Sequence, residues 1–144
     1  MNYAIRFLTI ADYGQLIELW RRSDLSHRPK GRDSRSAIEQ EMKRQETCFF
    51  GMFDGARMIG SVIGSSDGRK GWINRLAVAP DYRGHGLAGI LIAECENFLK
   101  DLGLKVMAAL IEGDNVASFE AFKKAGYENM PDIAYYSKRE SPGD

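Results

Sequence analysis

Between positions 76 and 88 the chain reads Leu76-Ala77-Val78-Ala79-Pro80-Asp81-Tyr82-Arg83-Gly84-His85-Gly86-Leu87-Ala88. An apolar run stops at a proline, a short polar loop carries two glycines, and a helical pattern begins. The first turn of a helix leaves backbone N–H groups without partners, and its dipole adds partial positive charge there. Gly84 and Gly86 let the backbone come close to a ligand and take unusual dihedrals. Such a turn can cradle a diphosphate. Taken alone, Gly-x-Gly describes a ligand-free strand-to-helix turn equally well. The dinucleotide fingerprint would need a six-residue glycine pattern at the first strand, and a Walker A loop would need its lysine; neither is present.

The elements around this loop follow from patterning. Ala4 to Leu8 reads as a first strand, with Ile5 and Phe7 on one face. Thr9 and Asp12 predict a capped helix start, and Leu16, Ile17, Leu19 and Trp20 give that helix its buried stripe. Ser23 to Asp33 reads as a loop, and Ser34 opens a second, more polar helix through Ile38 and Met42. Thr47 to Phe53 and Arg57 to Gly64 are strands joined by the turn signal Asp54-Gly55. Trp72 to Val78 is a fourth strand, stopped by Pro80. From Gly86 to Leu102 apolar residues recur at helical spacing, and Gly103 supplies the stop. Lys105 to Ile111 reads as a fifth strand, reached by a right-handed crossover and so parallel to the fourth. Asn115 opens a short helix ending before Gly126. Tyr127 to Met130 and Ile133 to Lys138 read as a final strand pair, followed by a frayed tail from about residue 139.

The 144 residues suit one domain, with 20 basic and 20 acidic side chains in balance. Bulk charge therefore points to no nucleic-acid or membrane partner. No apolar stretch is long enough to span a bilayer. Cys48 and Cys95 show neither CxxC nor zinc-like spacing, so no metal is expected, and a reducing, cytoplasmic setting fits.

Arg83-Gly84-His85-Gly86-Leu87-Ala88 resembles the Arg/Gln-x-x-Gly-x-Gly/Ala signature of the GCN5-related N-acetyltransferases. Leu76 to Pro80 looks like that family's fourth strand, and Asn115 to Tyr127, ending Ala125-Gly126-Tyr127, resembles its second cofactor motif. Trp20, Arg22, Asp24 and Leu25 are similar to a small bacterial branch, the YpeA-like proteins. The resemblance implies a single α/β domain over residues 1–144: a mixed sheet, mostly antiparallel, with a parallel pair at strands 4 and 5, flanked by helices. It implies acetyl-coenzyme A as co-substrate and a small-molecule or peptide amine as acceptor, and leaves a homodimer open. The backbones of Leu76, Ala77 and Val78 would pair with the pantetheine arm. Arg83, Gly84, His85, Gly86, Leu87 and Ala88 would hold the pyrophosphate. The side chain of Asn115 would reach the pantetheine, in addition to capping its helix, and Phe122 would lie near the sulfur.

Transfer by direct attack needs a deprotonated amine, donors for the oxyanion and a proton for the leaving thiolate. It gives Cys48 no task as a nucleophile. Two departures from the family pattern bear on this chemistry. Phe122 stands where many members have a tyrosine acid, and Asn74-Arg75 where many have a glutamate base. Neither replacement can do that work. Tyr127, Tyr135, Glu112, His27 and ordered water remain as substitutes, so the catalytic groups stay unassigned. His27 belongs to the loop that resembles the acceptor flap, where Arg28, Lys30 and Arg32 could meet an acidic acceptor. The alternative to an enzyme is a non-catalytic acyl-coenzyme A binding or sensing domain.

Overall fold

A computed structural model describes residues 2–25 and 28–144. Five strands form one sheet in chain order: β1 (Ala4–Phe7), β2 (Thr47–Asp54), β3 (Arg57–Ser66), β4 (Gly71–Val78) and β5 (Met107–Ala108). The first three pairings are antiparallel and β4–β5 is parallel; the short turns of β2–β3–β4 and the helical crossover to β5 fit that pattern. Four helices flank the sheet: α1 (Tyr13–Arg22), α2 (Arg35–Met42), α3 (Leu87–Asp101) and α4 (Val116–Lys124).

A short 3-10 turn, Ile10–Asp12, precedes α1. There Thr9 N donates to Asp12 Oδ2 at 2.9 Å, and the same carboxylate pairs with Arg6 at 2.8 Å. The Arg6 contact, with the Thr9 amide, holds the Asp12 carboxyl below the usual carboxylate range. Leu16, Leu19 and Trp20 of α1 are buried, as are Leu91, Ile92, Cys95 and Leu99 of α3. These two apolar stripes pack against β3 and its neighbours and bury the middle of the sheet.

Both helices beside the fifth strand end in the same way. After α3, Gly103 (φ 89°) donates to Lys100 O at 2.8 Å and Leu104 to Leu99 O at 3.3 Å. After α4, Gly126 (φ 94°) donates to Lys123 O at 3.1 Å and Tyr127 to Phe122 O at 3.0 Å. This paired closure needs a left-handed residue at the glycine position. In α4 it also stacks Tyr127 edge-on against Phe122, with centroids 5.0 Å apart. The Ala125-Gly126-Tyr127 run is thus a helix stop with its own apolar clasp.

Two expectations need correction. The fifth strand is not Lys105 to Ile111: only Met107 and Ala108 pair, with Gly71 and Trp72. The register of β3 with β4 shifts between Ser61 and Ile63, which face Ala77 and Asn74, so β4 carries an extra residue there. A bulge bends and twists its strand, and β4 leaves β5 beyond Trp72. The final strand pair is not formed either. Residues 128–144 are exposed, and Pro131, which has no N–H to give a ladder, interrupts the segment. The chain end turns back instead. Arg139 Nη1 donates to Asp144 O at 2.6 Å, and Gly143 lies so close to Gly31 that a Cβ there would collide with it.

Candidate active site

Where β4 and β5 part, a cleft of about 560 Å³ opens between β4, the start of α3, and α4. That volume suits a ligand of cofactor size. Leu76, Ala77 and Val78 line it from the strand, and Arg83, Gly84, Gly86, Leu87 and Ala88 from the loop and first turn. Asn115 enters from the N-cap of α4, where its Oδ1 also accepts from Ser118 N at 3.1 Å. The helix cap expected of Asn115 is formed, and the residue also borders the cleft. His85 is exposed and outside the lining; Phe122 is buried against Tyr127 and also outside it.

The loop has the form an anion cradle requires. Gly84 and Gly86 take φ of 84° and 75°, and a Cβ at either would meet nothing within 4 Å. The glycines are thus demanded by dihedral and leave open space above the backbone. Gly86 is the N-cap of α3 and contributes no side-chain cap. The first amides of α3 are left for a ligand. Arg83 turns its side chain back, Nε donating to Val78 O at 3.2 Å, so the loop is tied to the end of the strand. Behind it, Arg57 pairs with Asp81 at 3.0 Å and fixes the turn Pro80–Tyr82 to the β2–β3 hairpin.

Several lining residues were not singled out as binding positions in the sequence. Ser23 and Leu25 reach the cleft from the loop after α1, Glu96 from α3 and Lys124 from α4. Glu96 and Lys124 fall on the faces where α3 and α4 approach each other, a signal visible only once the two helices are paired. The hydroxyl of Tyr127 donates to Glu96 Oε2 at 2.8 Å. Burial first, and then Glu96, raise the tyrosine pKa above its ordinary value.

Arg75 and Leu76 form the bulge, between Asn74, which pairs with Ile63, and Ala77, which pairs with Ser61. Arg75 has φ 55°, and its guanidinium lies 4.8 Å over the Trp20 ring and 2.7 Å from Asp33 Oδ2. Burial lowers the Arg75 pKa, and Asp33 opposes that. Tyr135 is exposed and outside the cleft lining; Glu112 is felt electrostatically at Arg75; His27 lies outside the described residues. Cys48 and Cys95, remote in sequence, meet in the core with their sulfurs 3.8 Å apart, away from the cleft. Among the described residues no group of side chains is arranged to hold a metal ion, and no helix is long and apolar enough to cross a membrane.

A sheet split at a bulged strand, with an amide-lined helix start in the split, is the architecture of acyl-coenzyme A-dependent acetyltransferases. The family model described as Acetyltransferase (GNAT) family matches residues 13–127, and the chain belongs to that family. An acetyltransferase of Sodalis glossinidius is 33% identical over 135 residues, covering 94% of each chain. One of Yersinia pseudotuberculosis is 33% identical over 129 residues, covering 90% of each. Among solved structures, the PaiA N-acetyltransferase of Thermoplasma acidophilum in complex with coenzyme A superposes with TM-score 0.76 at 23% identity, covering 86% of this chain and 88% of that one. AAC(6')-Iy, bound to the bisubstrate analogue CoA-S-monomethyl-acetylneamine, gives TM-score 0.80 at 20% identity, covering 96% and 99%. The chain is an acetyl-coenzyme A-dependent acyltransferase by family, and the fold agrees with these neighbours.

Proposed function

We propose that the protein transfers the acetyl group of acetyl-coenzyme A to a primary amine of a small molecule or peptide, by direct attack within a ternary complex. The observation that carries this reading is the amide-lined cleft opened by the β4 bulge. The pyrophosphate would lie on the loop 83–88, the pantetheine arm along Leu76 to Val78 in the place β5 vacates, and the Asn115 side chain beside the arm. That two structural neighbours were solved with coenzyme A or a coenzyme A bisubstrate analogue supports coenzyme A as the ligand.

The acceptor amine has a pKa of about 10 and must lose a proton before attack. Attack on the thioester carbon forms the C–N bond and places negative charge on the carbonyl oxygen. A backbone donor on β4 would meet that charge. Arg75 O accepts from Ser61 Oγ at 3.4 Å. The N–H of the same peptide, that of Leu76, points away from this carbonyl and is the candidate donor in this reading. Collapse of the adduct breaks the C–S bond and releases a thiolate, which takes a proton. Tyr127 is poorly placed to give it, because its hydroxyl is engaged by Glu96. In this reading water donates and accepts these protons.

The test is single-turnover transfer from radiolabelled acetyl-coenzyme A to a panel comprising spermidine, neamine, a lysine-bearing peptide and free amino acids. Acetyl transfer to at least one amine, with saturable cofactor binding by calorimetry, is expected. Tight cofactor binding without transfer to any amine would favour the acyl-coenzyme A sensing role instead.

A further inference from the structure

We propose that Asp33 is a positioning residue: through its ion pair with Arg75 it holds the loop after α1 and the β4 bulge in one arrangement around the acceptor side of the cleft. This rests on acetyl transfer at that cleft. Arg75 is one of two described non-glycine residues with positive φ. An L-residue stays in that region only where its surroundings hold it. Several contacts hold Arg75 there. The guanidinium stacks on Trp20 and reaches Asp33 at 2.7 Å; the main-chain oxygen accepts from Ser61 Oγ, which itself accepts from Trp20 Nε1 at 3.1 Å.

Asp33 is fixed as firmly. Its Oδ2 also accepts from Arg28 N at 2.6 Å, its N–H donates to Arg28 O at 3.0 Å, and its carbonyl accepts from Tyr13 Oη at 2.7 Å. The pair thus joins two walls of the site. Leu76, which lines the cleft, follows Arg75 directly; Trp20, on which Arg75 stacks, accepts from Leu25 N at 3.0 Å, and Leu25 lines the cleft with Ser23. The side chains of Arg75 and Asp33 are only 15% and 6% exposed. A buried ion pair is weak as a stabiliser compared with apolar packing. A joint needed only for stability would be served as well by two apolar residues; a directional, charged joint fixes orientation.

The experiment compares wild type with Asp33→Asn, Arg75→Lys and the double variant Asp33→Asn/Arg75→Met. The double variant removes both charges, so no charge is left buried alone. Three quantities are read: hydrogen exchange in segments 28–34 and 74–78, the Kd of coenzyme A, and KM and kcat for the fastest amine of the panel above. The double variant is expected to fold and to bind coenzyme A normally. Exchange should rise in both segments together, and the acceptor KM by about tenfold or more, given how steeply rate depends on placement. Arg75→Lys, which keeps the charge but not the planar fork, should fall between it and wild type. A folded double variant with wild-type KM, or with faster exchange in the loop but not in the bulge, overturns the proposal. Failure of wild type to acetylate any amine would defeat the transfer reading, while the exchange data would still decide whether the two segments are coupled.

Discussion

Tyr127 and Glu96 share a proton across the gap between α4 and α3, with the phenol oxygen 2.8 Å from Oε2. With its pKa raised by burial and by that carboxylate, the phenol stays protonated across the neutral range. Its proton is directed at Glu96. Replacing Tyr127 by Phe should cost about 1–2 kcal/mol of stability through the lost hydrogen bond. Single-turnover transfer at saturating cofactor should be nearly unchanged. A loss of about a hundredfold, the size of a missing general acid, would make Tyr127 the proton donor after all.

Gly86 separates strain from ligand chemistry. Its φ of 75° means that any side chain costs about 1–2 kcal/mol, although the space above it is open. Gly86→Ala should lower Tm by a few degrees and weaken coenzyme A modestly. Gly86→Glu carries the same strain and adds a carboxylate where pyrophosphate would lie, so it should abolish binding while the protein stays folded. Equal affinities for the two variants, measured by calorimetry, would place the pyrophosphate elsewhere.

Cys48 and Cys95 touch in the core, and Gly64 gives them room, since a Cβ there would strike both sulfurs. Each thiol is buried and outside the cleft. Cys48→Ala and Cys95→Ala should each cost about 1 kcal/mol by leaving a small void. Transfer rates should be unaffected. An acetyl-cysteine trapped during turnover would contradict direct attack.

Asp67 gives a pH reporter far from the cleft. Trp72 Nε1 donates to its Oδ2 at 2.9 Å, and the amides of Lys70 and Arg69 donate to Oδ1 at 2.7 and 2.8 Å. These bonds, the Trp72 contact foremost, lower its pKa to about 2. Because the folded value lies below the unfolded one, its contribution is present above about pH 4 and is lost as pH falls through about 2. The indole N–H resonance of Trp72 should move with a midpoint near 2; a midpoint at 4 would mean the turn is open in solution.

The parts of this fold that announce themselves in the sequence are those set by neighbours in the chain. Asp54-Gly55 marks the β2–β3 hairpin because a left-handed residue is needed there, and Gly55 has φ 60°. The long α3 and its glycine cap follow from period and composition. The glycine loop before α3 was legible for the same reason, whereas Leu76 to Val78 were singled out only through the family resemblance. The short β5 was not legible: residues 106–111 form a continuous apolar run, but how many can pair depends on a bulge about thirty residues earlier. Nor did the sequence mark Arg75 as left-handed, because that conformation is imposed by Trp20, Ser61 and Asp33, which are distant in the chain. Asp33 read as one more loop acid until its partner, 42 positions on, was in place.

The strands stand in the sheet in the order in which they are synthesised. That has a kinetic meaning. The meander β2–β3–β4 closes through two short turns and pays little loop entropy, whereas β1 must wait for β2 across α1 and α2, and β5 for the whole of α3. Residues 47–78 should therefore form the folding nucleus, with the two outer strands added afterwards. Substitutions in the Asp54-Gly55 hairpin would then slow refolding, and those at Met107 or Ala108 would chiefly hasten unfolding. The strand whose parting from β4 opens the cleft is, on this order of events, among the last parts of the molecule to be built and the first to come away.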